Sequence, residues 1–127
     1  PEDKGLLAQA QDNGSGFIVF SPLAQGLLTD RYLNGIPADS RAARNFSLKK
    51  DSLTPEMMHT LEQLNEIARR RGQSLAQMAL AWVLNDDRVT SVIVGASSVE
   101  QLKSNIQSIR NTGFSEEEIR LIDKLTR

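Results

Sequence analysis

The sequence predicts an α/β fold of parallel βα units, and three observations carry that prediction. Two short runs, Phe17-Ile18-Val19-Phe20 and Ser91-Val92-Ile93-Val94, are apolar almost throughout, the pattern of strands buried on both faces. Helical patterns separate and follow them, in the order strand, long loop, helix, helix, strand, helix, helix. Each run also ends in a loop of small, turn-forming residues, at the end of the strand where α/β proteins place their ligands. Two strands cannot cover both of their own faces, so further sheet is expected from elsewhere.

The opening residues read as the end of a helix stopped by Asn13 and Gly14. The chain starts at Pro1, inside that element and without methionine, which leads us to expect a cut chain, with processing or a tag as alternatives. Residues 21–53 hold most of the turn formers, including Gly26, Gly35 and Pro37, with Arg31, Arg41, Arg44, Lys49 and Lys50 between them. Structureless loops longer than about 12 to 15 residues are uncommon unless they act as lids or binding loops. We expect either such a loop, closing as a mobile clamp that includes Arg41, or a floppy insertion.

The next helix carries clear punctuation: Thr54 as N-cap, Pro55 in the first turn, and Gly72 as the stop after Arg69-Arg70-Arg71. Met57, Met58, Leu61, Leu64, Ile67 and Ala68 form its apolar stripe, with the methionines as core filler and the three arginines as a solvated helix end. His59 sits between the stripe and the polar face and gains no chemical role from that place. Ser74-Leu75-Ala76-Gln77 is a capping box that opens a helix over Leu75 to Leu84, in which Trp82 reads as core. A turn at Asn85-Asp86-Asp87 leads to the second strand. After Gly95-Ala96, Ser97 or Ser98 caps a helix whose apolar face is expected to be Val99, Leu102, Ile106 and Ile109. Phe114 to Ile119 supplies a capping box and a hydrophobic staple for a last helix that runs to the end.

At 127 residues the chain suits one domain, and with 15 basic and 16 acidic side chains its net charge is −1. That balance gives no electrostatic reason to bind nucleic acid or an anionic membrane. No stretch approaches the roughly 18 apolar residues of a membrane-spanning helix. The absence of cysteine excludes disulfides and thiolate metal sites and makes the cytoplasm the default compartment. No Walker lysine loop, nucleophile elbow or zinc-protease motif occurs, so neither a metal site nor a catalytic residue is assigned. Tyr32 and His59, the single tyrosine and histidine, lack any supporting partner for general acid work.

The stretch from Val94 to Asn105 is the most informative. A strand that stops at Gly95-Ala96 and turns into a serine-capped helix aims free backbone N–H groups and the positive end of the helix dipole at one point. The pattern alone fits an ordinary capped helix without a ligand even better than an anion site. Gln101 and Asn105, four residues apart, are expected on one face with Ser97 and Ser98, away from Leu102. Ser21-Pro22-Leu23-Ala24-Gln25-Gly26 follows the first strand in the same way, where a plain turn is again the alternative. Two such loops after two strands favour binding.

Four motifs, F-S-P-L-A-Q-G-L-L-T-D-R-Y, I-P-A-D-S-R, L-A-Q-M-A-L-A-W-V-L and S-V-I-V-G-A-S-S-V-E-Q-L-K-S-N-I, resemble in order the last third of the aldo-keto reductases. Within that family the chain is most similar to the branch of bacterial glyceraldehyde-3-phosphate-type reductases and potassium-channel β-subunits. The resemblance covers the chain from about residue 6 and implies the C-terminal part of a (β/α)8 TIM barrel. Residues 1–127 would form one portion of a single barrel domain, with strands seven and eight, their helices, and two accessory helices over 54–72 and 115–126. It also implies NADP(H) as cofactor.

By the same resemblance Ser21, Pro22, Leu23, Ala24 and Gly26 line the pyrophosphate and the nicotinamide-side ribose. Arg31 replaces the usual Lys near phosphate, exchanging a point charge for a planar fork. Arg41 approaches the adenosine end. Gly95, Ala96 and Ser97 hold the 2′-phosphate with Gln101 beside it, and Asn105 meets the adenine. Ser104 departs from the family's usual Glu, so one adenine contact is weakened or replaced by water. The family's catalytic Asp, Tyr, Lys and His precede this stretch, and no residue here matches them. The resemblance thus implies an NADPH-dependent reductase of aldehydes and ketones to which this chain contributes cofactor contacts, with the missing N-terminal part of the barrel as partner. A channel regulatory subunit and an inactive half-barrel are the alternatives; the carbonyl substrate and any homo-oligomer are left open.

Overall fold

The computed structural model describes residues 4–24, 28–29 and 54–127. Helix α1 (Leu6–Asp12) ends as expected. Gly14 takes a left-handed φ of 67°, its N–H donates to the Gln11 carbonyl at 2.9 Å, and the Ser15 N–H donates to the Ala10 carbonyl at 2.8 Å. These two bonds satisfy carbonyls that the helix end would leave orphaned.

Strands β1 (Ile18–Val19) and β2 (Ser91–Val92) pair in parallel, Ile18 opposite Ser91 and Val19 opposite Val92. The ladder continues through Thr90 N–H to the Phe17 carbonyl and Ile93 N–H to the Val19 carbonyl, both at 2.8 Å. Gly16 lets the strands approach, since a Cβ there would lie 3.1 Å from the Thr90 hydroxyl oxygen. The strands are shorter than the apolar runs 17–20 and 91–94, and they are not buried on both faces. Helix α3 (Leu75–Leu84) packs against β2, whereas Ile18, Phe20 and Ile93 remain 62%, 78% and 59% exposed. Alternation explains this: one face meets α3, and no described element reaches the other.

Helix α2 (Pro55–Arg70) starts where Thr54 Oγ1 accepts the Met57 N–H at 3.2 Å. Ser74 and Gln77 form the reciprocal capping box of α3, and Ser115 and Glu118 form that of α5 (Glu116–Thr126). Leu61, Leu64, Ile67 and Ala68 of α2, Leu75 and Met78 of α3, and Ile122 of α5 make one core. Each fully buried leucine contributes about 2 kcal/mol. Leu28 and Met58 pack on its margin, while Met57, expected in the stripe, is exposed at its edge. Trp82 packs against the core and meets Phe114 edge to face, with ring centroids 5.1 Å apart.

Two further expectations are corrected. Helix α4 (Val99–Gln107), continued by a 3₁₀ turn over Ser108–Arg110, turns Asn105 and Ser108 inward and leaves Val99, Leu102, Ile106 and Ile109 exposed. Periodicity marked which residues share a face, but the apolar face is not the one that rests against α3. The arginine run is not a uniformly solvated end either: Arg69 and Arg70 are exposed, but the Arg71 side chain is 3% exposed. Its guanidinium donates to Gln73 Oε1, the Gly113 carbonyl, Glu118 Oε2 and the Asn111 carbonyl at 2.8 to 3.0 Å and lies 3.7 Å over the Phe114 ring.

Removing a buried charge that makes four hydrogen bonds leaves its partners unsatisfied, so Arg71→Met is expected to lower the unfolding free energy by about 3 kcal/mol. Arg71→Lys should recover less than half of that, because a single ammonium cannot serve a planar set of acceptors. Urea denaturation of the two variants measures both effects. Equal stability of Arg71→Lys and the parent would contradict this account.

Asp86 carries a second prediction. Its carboxylate accepts from the Arg88 Nε at 2.8 Å, Nη2 at 2.6 Å and backbone N–H at 3.0 Å. Chiefly the Arg88 side-chain hydrogen bonds hold its pKa below the usual carboxylate range, against a smaller opposing effect of desolvation. A carboxyl whose pKa is lower folded than unfolded stabilises the fold above the ordinary value of about 4 and loses that contribution as pH falls through it. The stability gap between the parent and Asp86→Asn is therefore expected to narrow in acid, as thermal melts from neutral pH downward will show.

Candidate functional site

Parallel pairing in this register sends both post-strand loops out of the same end of the sheet. Ser21 and Val94 stand at corresponding positions, and neighbouring strands lie about 4.8 Å apart. The turn Ser21-Pro22-Leu23-Ala24 and the loop Gly95-Ala96-Ser97-Ser98 thus both follow the same end of the strand pair.

The first loop is tightly wound. Ser21 and Ala24 have positive φ values of 55° and 47°, which cost a non-glycine residue about 1 kcal/mol each. The Ala24 N–H donates to the Ser21 carbonyl at 3.1 Å, and the Leu28 N–H to the Leu23 carbonyl at 3.1 Å. Pro22, Leu23 and Ala24 are half-buried while Ser21 is exposed. Left-handed backbone at such residues is a recurrent mark of ligand-facing turns. Gly26, Arg31 and Arg41 lie outside the described residues, as does most of the expected clamp over residues 21–53, of which 21–24 and 28–29 are described.

The second loop settles which serine caps α4. Ser98 is the N-cap, its hydroxyl oxygen accepting the Gln101 N–H at 3.1 Å. Ser97 faces Gln101 instead: the Gln101 Oε1 accepts from the Ser97 N–H at 2.7 Å and from the Ser97 hydroxyl at 3.0 Å. Gly95, Ala96, Ser97 and Gln101 are exposed, and a Cβ at Gly95 would meet nothing within 4 Å. Space above this loop is open, and its donors already converge on one acceptor oxygen. Glu100 in the first turn complements the helix dipole.

Ser104 and Asn105 lie further along the helix. The Ser104 carbonyl accepts from Gln77 Nε2 of α3 at 2.9 Å. Asn105, expected to project beside Gln101, is 5% exposed instead, because its turn of helix rests against α3 while Gln101 folds back onto Ser97. The Asn105 carbonyl accepts the Ser108 hydroxyl at 2.6 Å, and its Nδ2 is buried without a partner among the described residues. An orphaned buried donor costs about 1 to 3 kcal/mol and calls for an acceptor. Gln77 is the residue that the sequence reading passed over, because a capping box already accounted for it.

No group of three His, Cys, Asp or Glu side chains that could hold a metal ion exists among the described residues. His59 is exposed on α2, 3.9 Å from Glu62 and remote in sequence from both loops. No described helix is long and apolar enough to cross a membrane.

The chain resembles known proteins over nearly its whole length. The pattern of the aldo/keto reductase family matches residues 2–127. The chain is 55% identical over 128 aligned residues to L-glyceraldehyde 3-phosphate reductase of Escherichia coli O157:H7, covering 97% of this chain and 37% of that protein. It is 38% identical to a putative voltage-gated potassium channel subunit beta of Schizosaccharomyces pombe, covering 98% of this chain and 34% of that protein. Among solved structures, an aldo-keto reductase of Bacillus halodurans in its holo form superposes with a TM-score of 0.67 at 28% identity, over 98% of this chain and 38% of that one. The chain therefore spans little more than a third of the length of the relatives it matches. Its fold corresponds to the C-terminal portion of their TIM barrel, and the chain belongs to the aldo/keto reductase family.

Proposed function

We propose that this chain forms the 2′-phosphate and adenosine side of an NADP(H) site in a cytoplasmic reductase of small aldehydes and ketones. The observation that carries the reading is the convergence of Ser97, Ser98 and Gln101 at the N-terminus of α4, beside the left-handed turn of Ser21 to Ala24. An N-terminus with neutral donors and no acidic group on the strand end suits a phosphate dianion. The residues fit the cofactor in a second respect, since the buried Asn105 Nδ2 lacks an acceptor that an adenine edge provides.

Within that reading Ser97 offers its N–H and hydroxyl to the 2′-phosphate once Gln101 Oε1 releases them. Ser98 keeps the helix end intact, and the turn at Ser21 presents backbone and hydroxyl groups toward the pyrophosphate side. NADPH held by Ser97, Gln101, Asn105 and the Ser21 turn would supply hydride-transfer chemistry to a carbonyl substrate. The proton for the carbonyl oxygen comes from a tyrosine outside these 127 residues. Similarity to a glyceraldehyde 3-phosphate reductase favours a small aldehyde as substrate. Similarity to channel β-subunits supports a second reading, in which the same site binds cofactor in a regulatory subunit. Steady aldehyde-dependent oxidation of NADPH by the full-length polypeptide separates the two.

Ser97→Asp in that polypeptide is expected to weaken NADPH by about 1 to 3 kcal/mol, replacing a charge-assisted hydrogen bond with repulsion, and to affect NADH far less. Titration of both nucleotides by fluorescence provides the check, and equal losses would remove the 2′-phosphate from this loop.

The 127-residue chain alone is expected to turn over aldehydes no faster than background. A missing general acid costs about 10² to 10⁴ in rate. The bare face of Ile18, Phe20 and Ile93 and the strand edges left unpaired among the described residues should also drive it to associate. Light scattering and an NADPH oxidation assay test both points, and an active, stable monomer would overturn them.

A further inference from the structure

Helix α4 lies against α3 and is joined to it by the hydrogen bond from Gln77 to the Ser104 carbonyl. Its apolar residues Val99, Leu102 and Ile106 are exposed, so burial of that stripe does little to fix it. Gln77 of α3 acts on two elements at once. Its Oε1 accepts the Ser74 N–H at 3.0 Å, closing the capping box, while its Nε2 donates to the Ser104 carbonyl at 2.9 Å. The amide is thereby fixed in orientation by its own helix and aimed at α4, half-buried between them.

We infer that Gln77 is a positioning residue for the dinucleotide site, setting the seat of α4 and with it the places of Ser97, Gln101 and Asn105. This inference rests on the proposed cofactor reading for its consequence but not for its geometry. Asn105 lies one residue beyond the carbonyl that Gln77 grips, and Gln101 lies one turn before it, so a shift of α4 moves both toward or away from a ligand together. Glutamate at position 77 could still cap Ser74, since Glu and Gln both serve at the third position of a capping box. It could not donate to Ser104, and would set a carboxylate oxygen against that carbonyl.

The test compares Gln77→Glu with Ser74→Ala in the full polypeptide. Ser74→Ala removes the hydroxyl half of the box and leaves Gln77 free to hold Ser104. In the absence of cofactor, Gln77→Glu should accelerate amide hydrogen exchange across residues 99–107 by about tenfold while residues 75–84 keep their protection. It should raise the Kd for NADPH by about tenfold and leave kcat at saturating NADPH, and the KM for aldehyde, nearly unchanged. Gln77→Met, which removes the donor without adding charge, should loosen residues 99–107 more weakly, and because it also removes the Oε1 that accepts the Ser74 N–H it should lower protection at the start of α3 as well. Ser74→Ala should lower the melting temperature yet leave both α4 exchange and NADPH affinity at parent values. Unchanged exchange of α4 in Gln77→Glu, or equal loosening of α4 in Ser74→Ala, would overturn the inference. Failure of the parent polypeptide to bind NADPH would instead remove the cofactor reading, and the exchange comparison would still decide whether Gln77 seats α4.

Discussion

The buried guanidinium of Arg71 is the joint on which the helical layer depends. A charge taken out of water is costly unless its donors find acceptors, and here Gln73, Asn111, Gly113 and Glu118 take four of the five guanidinium N–H groups. Those acceptors come from the turn after α2, from the segment after α4, and from the first turn of α5. One side chain therefore fixes the exit of α2, the exit of α4 and the entry of α5 relative to one another. Phe114 lies under the same guanidinium and edge-on to Trp82, so the polar joint is continuous with the apolar core.

That joint matters because α4 contributes so little apolar burial of its own. Gln77 reaches the Ser104 carbonyl, Gln73 and Arg71 reach the Asn111 carbonyl, and Asn85 Nδ2 reaches the Thr112 carbonyl at 3.1 Å. Side-chain donors from the α2–α3 region thus hold backbone acceptors along the whole stretch from α4 to α5. The apolar stripe of α4 and the bare face of β1 and β2 point the other way, where no described element covers them. A closed barrel of eight strands with an outer ring of helices surrounds each of its strand pairs on both faces, and this chain spans only 37% of its reductase relatives. The two bare surfaces and the partial span agree.

What the sequence made legible was local. Helix starts at Thr54, Ser74 and Ser115 and stops at Gly14 and Gly72 could be read because capping is settled within a few residues of chain. The two loops after the strands could be read because they follow directly on apolar runs. Decisions made at a distance could not. Three consecutive arginines are alike in sequence, and chiefly the segment forty residues and more away makes Arg71 differ from Arg70. Spacing grouped Val99, Leu102 and Ile106 on one face correctly, yet it could not say that α3 would meet the opposite one. Gln101 and Asn105 share a helical face by spacing and still differ, one exposed against Ser97 and the other buried with its amide unpaired.

The contact between Gln101 and Ser97 bears on how such a site could tell one nucleotide from another. Gln101 Oε1 occupies both Ser97 donors, so a ligand reaching them must displace a neutral amide carbonyl that is already well placed. A ribose hydroxyl would exchange one neutral hydrogen bond for another and gain little by doing so. A phosphate dianion forms charge-assisted bonds roughly twice as strong as neutral ones and gains further from the end of the helix dipole. On the proposed reading the internal acceptor lowers absolute affinity by the same displacement for either nucleotide, and the selectivity comes from the stronger charge-assisted bonds of the phosphate. The same displacement frees the Gln101 side chain to move with the ligand, whereas Asn105, sealed against α3, must wait for an acceptor to come to it. Recognition would then be divided between a yielding group at the helix start and a fixed one a turn further on, both dependent on where Gln77 seats the helix.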